Sequence, residues 1–151
     1  MKKSIRERKI EKNFMTGGIS RSGFLGSDTR HIHDIILEDE RILNRLGIDC
    51  ESVSEKLQDF IEEGKKGLET WVVKGAYEVQ VRWQRGMLPC PFGEPGLHHK
   101  LIANVHNTRT RKTIRFSQLN VHMIRDHGFF EGKGSAFRIE PEELAEFLKD
   151  L

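Results

Sequence analysis

The sequence predicts an α+β domain in which a small antiparallel sheet of about three strands packs with two N-terminal and two C-terminal helices. Three observations carry this. Helical hydrophobic spacing fills the first third, strict alternation replaces it in the middle, and helix-capping signals return near the end. A chain of 151 residues fits one domain with a real core, and no internal repeat divides it. Residues 1–15 read as a basic N-terminal arm, and residues 16–151 as the single α+β domain.

TGGISRSGFLGSD follows the arm, rich in glycine and serine, and reads as loop. In RHIHDIILEDERILNRLG the apolar residues Ile32, Ile35, Ile36, Ile42, Leu43 and Leu46 recur at helical spacing. Ser27 or Asp28 is the expected N-cap, and Gly47 the stop. A second helix is expected from about Ser52 or Ser54 to Lys66, burying Val53, Leu57, Phe60 and Ile61. Tyr77, Val79, Val81 and Trp83 then alternate with polar residues, as a half-buried strand requires. Leu101, Ala103 and Val105 begin a second strand, while Ile114 and Phe116 mark a third. Ser117 caps a short helix ending at His127 before Gly128, and Pro141 opens the last one.

Charge is unevenly spread, although the net value is only +2. Between Asp49 and Glu63 there are six acids and one lysine, the solvated face of the second helix. From Pro95 to Arg125 there is no acid at all. Cys50 and Cys90 are too few for a disulfide framework, and MKKSIRERKIEKN lacks the apolar core of an export signal. A cytoplasmic setting without a membrane span is therefore expected.

The basic window suggests an anion. Arg109, Arg111, Lys112 and Arg115 lie on a predicted hairpin suited to phosphate contacts. The glycine-rich stretch EGKGSAFR follows a helix and has the wrong spacing for a nucleotide-binding P-loop. A looser cradle remains, in which backbone N–H groups converge and Lys133, Ser135 and Arg138 add charge and a hydroxyl. Turns around buried phenylalanines explain the same glycines.

Metal is suggested by Cys90, His98, His99, His122 and His127, whose thiolate and imidazoles suit zinc. Against it, no Cys-x-x-Cys pair is present, and residues five apart diverge by about 140° on a regular helix. Topology argues the other way. A hairpin of the second and third strands brings the proline-rich loop 86–99 and the segment 122–138 to one sheet edge. Asp126, one turn from His122, would fix that imidazole's tautomer. The same residues supply catalytic candidates, namely His122 with Asp126 as a base, or Cys90 as a nucleophile.

The leading expectation is an anion-binding domain for nucleic acid or a phosphorylated small molecule. The alternatives are a zinc-binding or histidine-based enzyme with its site between 86–99 and 122–138, and a protein-interaction module.

Overall fold

The computed structural model describes residues 5–15 and 23–151, and within them the alternating segments form a four-stranded antiparallel sheet. Its order is that of the chain: β1 (Val72–Lys74), β2 (Tyr77–Pro89), β3 (Leu97–Asn107) and β4 (Thr113–Ser117). The helices are α1 (Ile5–Phe14), α2 (Ile32–Leu46), α3 (Cys50–Lys65), α4 (Gln118–His127) and α5 (Pro141–Phe147), with a final 3₁₀ turn at Leu148–Asp150. The α+β class holds, with one strand more than the sequence suggested. β1 is only three residues long, too short for alternation to register.

Parity fixes the core. Tyr77, Val79 and Val81 of β2 point to the buried face, where Leu57, Phe60 and Ile61 of α3 meet them. Each such fully buried side chain contributes roughly 1.5–3 kcal/mol. Gly64 lets α3 lie directly on β2, since a Cβ there would come within 2.7 Å of Val81 Cγ1. The Tyr77 hydroxyl donates to the Phe147 carbonyl at 2.6 Å, which locks α5 onto the same core.

A second apolar cluster positions the site. Phe14, Phe24, Ile35, Cys90, Met123 and Phe129 pack where α1, α2, α4 and the β2–β3 connection meet. The described part of the basic arm therefore docks at its end, where Phe14 is completely buried, and residues 1–4 lie outside the described residues. Residues 16–22 of the predicted glycine loop lie outside the described residues.

Boundaries differ from expectation for local reasons. β2 runs past Trp83 to Pro89 through a register irregularity between Trp83 and Met87, so the expected long loop narrows to residues 90–96. The N-cap of α2 is His31, whose side chain accepts from His33 N. Asp28 is engaged elsewhere, accepting from Arg30 Nε and Nη2 and from the Lys133 amide. α3 begins at Cys50, earlier than expected, because Asp49 accepts from Ser52 N and caps it. No helix among the described residues is long and apolar enough to cross a membrane.

Candidate metal centre

The short β2–β3 connection is Cys90-Pro-Phe-Gly-Glu94-Pro-Gly, and its turn closes when Gly93 N donates to the Cys90 carbonyl at 3.1 Å. Gly93 sits at φ 89° and Gly96 at φ 114°, values that favour glycine. α1 steadies the loop from outside, with Asn13 Nδ2 donating to the Pro91 carbonyl at 3.1 Å. Cys90 is thereby buried at the loop's base, while Glu94 stays about one-third exposed at its tip.

Helix α4 faces this loop. A capping box starts it, in which the Ser117 side chain accepts from Asn120 N and the Asn120 side chain accepts from Ser117 N. Gly128 ends it in the left-handed conformation, φ 62°. His122 lies mid-helix and His127 is the last helical residue. Their separation around the helix does not keep them apart, because Glu94 reaches between them. The Nε2 atoms of both histidines hydrogen-bond the same Glu94 oxygen, Oε1, that of His127 at 2.7 Å. Cys90 Sγ completes the group, 3.6 Å from His127 Nε2. The four ligand atoms of Cys90, Glu94, His122 and His127 all lie within 4.8 Å of one another.

Two further contacts orient the imidazoles. His122 Nδ1 lies 3.2 Å from an Asp126 oxygen, the i,i+4 pairing expected from the sequence. Phe92 stacks flat on His127, with ring centroids 3.9 Å apart. If Nδ1 of a neutral His122 carries the proton toward Asp126, Nε2 presents a lone pair to the Glu94 carboxylate. Two acceptors then face each other, so a proton or a metal cation must sit between them.

Electrostatics favour the charged form of the carboxylate but the neutral form of the thiol. The hydrogen bond from His127 is the largest influence holding Glu94 down to about 2, with Cys90 and His122 adding to it against desolvation. Burial, followed by the nearby Glu94 and Asp126 charges, pushes the Cys90 thiol up to about 12. A neutral thiol is a poor nucleophile, which weighs against Cys90 as an unassisted catalytic group. A divalent ion inverts that logic by deprotonating a coordinating thiol.

The structure thus unites Cys90, His122 and His127 with Asp126 behind them, and adds Glu94. His98 is a neighbour, its ring 4.4 Å from that of His122, and burial lowers its pKa. His99, one residue on, alternates to the other side of β3 and packs edge-on to Trp83 at 5.9 Å. Glu94 had one sequence signal, as the sole acid between Glu78 and Asp126.

No known protein family, curated protein or solved structure gives a significant match to this chain.

The residues expected to hold an anion are dispersed. Arg109 pairs with Asp150 at 2.6 Å, Arg111 and Lys112 are exposed in the hairpin turn, and Arg115 lies over the Phe137 ring at 5.1 Å. In the glycine-rich segment the backbone amides are engaged within the chain. Gly132 N donates to the Phe24 carbonyl, Lys133 N to Asp28, and Ser135 N to the Gly132 carbonyl, so these amides do not converge on a ligand. The Ser135 hydroxyl donates to Glu131 at 2.5 Å, and the Lys133 side chain is exposed. Arg138 is buried among protein acceptors, and its five N–H donors make five hydrogen bonds, to Asp39, Glu140 and the Glu131 carbonyl.

Glu131 is a second group that pattern did not single out. It is 2% exposed, sits at φ 67°, and accepts from Asn120 and Ser135. Burial raises its pKa from 4.5 to about 7, with Ser135, Asn120 and Arg138 opposing that shift. Since the folded value exceeds the unfolded one, its protonated form adds stability below pH 4.5, and this is lost as pH rises through about 7. Glu131→Gln should therefore gain on wild type as pH rises through that window, approaching about 3 kcal/mol above it. Parallel urea-unfolding curves across pH would check this, and an unchanged difference between the two proteins would refute it.

Proposed function

We propose that this protein binds one zinc ion through Cys90, Glu94, His122 and His127, and that the ion ties the β2–β3 loop to α4. The supporting observation is the convergence of two imidazole Nε2 atoms, one thiol and one carboxylate on a single point, with Asp126 behind His122. One thiolate and one carboxylate neutralise a divalent cation, and mixed sulfur, nitrogen and oxygen donors suit zinc. Zinc–sulfur and zinc–nitrogen bonds in a tetrahedron imply an S···N edge of roughly 3.6 Å. The Cys90–His127 separation is 3.6 Å. A tetrahedral N···O edge is longer, roughly 3.3 Å, so the ion would draw Glu94 outward from its 2.7 Å contact with His127. Glu94 has room to move, being the most exposed of the four.

Four protein ligands make the site a closed, structural one. A catalytic zinc is the second reading, favoured by the same exposure of Glu94, which water or substrate could displace.

The test uses untagged protein and its metal content. One equivalent of zinc is expected, and chelation should lower thermal stability, because a ligand held at about 1,000 times its Kd adds roughly 4 kcal/mol. In the cobalt-substituted protein, Cys90→Ser should remove the sulfur-to-metal charge-transfer band. Asp126→Asn should weaken binding by about 10- to 100-fold, while His99→Ala should leave it unchanged. Retained metal in Glu94→Ala, with an exchangeable water, would favour the catalytic reading. Protein that takes up no zinc or cobalt, and whose unfolding ignores chelator, would end the proposal.

A further inference from the structure

A second cleft lies between the strands and the glycine-rich segment, apart from the four metal-ligating side chains. It encloses about 410 Å³, within the roughly 300–1,000 Å³ range of small-molecule sites. Leu101 and Leu119 give it buried apolar walls, and Phe137 adds an aromatic face. Lys100 and Arg115 also line it, and neither makes an ion pair among the described residues. Arg115 is held in place by the Phe137 ring below its guanidinium. Lys100 is half-buried, and a bound anion would gain from meeting its ammonium.

Among the described residues one acid lines the cleft, and it is Glu131. It lies at the buried end, fixed by Asn120 and Ser135 in a left-handed backbone conformation that a non-glycine residue seldom adopts. Strain of this kind clusters at ligand sites. The strand residues that supply the cations belong to the acid-free window from Pro95 to Arg125. Two cations, apolar and aromatic walls and a hydrogen-bonded carboxyl group thus line one cleft, beside the polar Gln84, His99 and Ser117.

We propose that this cleft binds a small organic anion with a flat apolar body, its anionic group between Lys100 and Arg115 and its body against Leu101, Leu119 and Phe137. The anion sought in the sequence thus has a different seat, sharing only Arg115 with the predicted hairpin set. The site is independent of zinc.

The probe is 1-anilinonaphthalene-8-sulfonate, whose fluorescence rises in an apolar site, used at neutral pH on protein shown by circular dichroism to be folded. One saturable site is expected. Lys100→Gln with Arg115→Gln should weaken it by about tenfold or more, equivalent to about 1.4 kcal/mol. The uncharged N-phenyl-1-naphthylamine should bind about tenfold more weakly than the sulfonate. Ala136→Trp, which fills the cleft from an exposed lining position, should abolish binding of both. Arg111→Gln with Lys112→Gln should change nothing, and an equal loss there would reassign the effect to general surface charge. No binding to the folded protein, or wild-type affinity in either the Lys100/Arg115 or the Ala136 variant, would overturn the proposal.

Discussion

Arg138→Ala should destabilise the protein by about 3–5 kcal/mol, the expected consequence of leaving a buried ionic partner uncompensated. The Arg138 and Asp39 side chains are 5% and 2% exposed. Their contact is bidentate, with Nη1 and Nη2 at 2.5 and 2.8 Å from the two Asp39 oxygens. Nη1 also donates to the Glu131 carbonyl at 2.9 Å, so truncation orphans a buried backbone acceptor as well. At this size each kcal/mol moves the melting temperature by roughly 2–4 °C, so a fall of about 10 °C or more is expected. Arg138→Lys should recover only part, because an ammonium cannot reproduce the planar fork. Replacing both partners, Arg138→Met with Asp39→Leu, should be far milder than Arg138→Ala alone. A loss under about 1 kcal/mol for Arg138→Ala would mean that water reaches Asp39 freely and the pair is not a structural tie.

Gly132→Ala and Gly26→Ala should be the next most damaging single changes, each by about 2–4 kcal/mol, since inserted atoms would force backbone apart. The segments around residues 24–28 and 131–135 cross with glycine facing backbone. A Cβ on Gly132 would meet the Leu25 carbonyl oxygen at 2.3 Å. One on Gly26 would meet Ser135 N at 2.2 Å and Gly134 C at 2.4 Å, and its φ of +57° adds strain. Neither neighbour can swing away like a side-chain end, because Gly132 N to Phe24 O and Ser27 N to Lys133 O hydrogen bonds hold the crossing. Gly134→Ala meets mainly the Ser27 hydroxyl, which can rotate, so strain at φ +85° should dominate a smaller loss. Gly47→Ala is the control, with φ +71° and nothing within 4 Å, and should lose about 1 kcal/mol. Denaturant unfolding of the four variants should give that order. Equal losses at Gly132 and Gly47 would show that the crossing yields without resistance.

These two predictions concern residues whose roles were hidden in the sequence. Arg138, Lys133 and Ser135 looked like a ligand cradle because glycines beside a cation and a hydroxyl are what a cradle needs. Composition cannot tell an amide that faces a ligand from one that faces Phe24 or Asp28. Asp39 carried no sequence signal, and only packing shows that it is buried beneath Arg138.

By itself the sequence determined the fold class, most of the elements and the meeting of Cys90 with His122 and His127. Helical spacing, alternation and caps are local signals, and hairpin connectivity brings a loop and the following helix to one edge whatever the side chains are. Tertiary structure alone decided that Glu94 joins the cluster of Cys90, His122 and His127 and that His99 turns away from it. It also decided that Arg138 serves Asp39 and that Lys100 joins Arg115 in a cleft. The physical reason is that periodicity encodes which face a residue occupies, but not which distant group faces it. In a strand one step of parity reverses the side, as His98 and His99 show. A lone acid between glycine and proline has no periodicity at all, so Glu94 acquires its meaning only when the loop folds over α4.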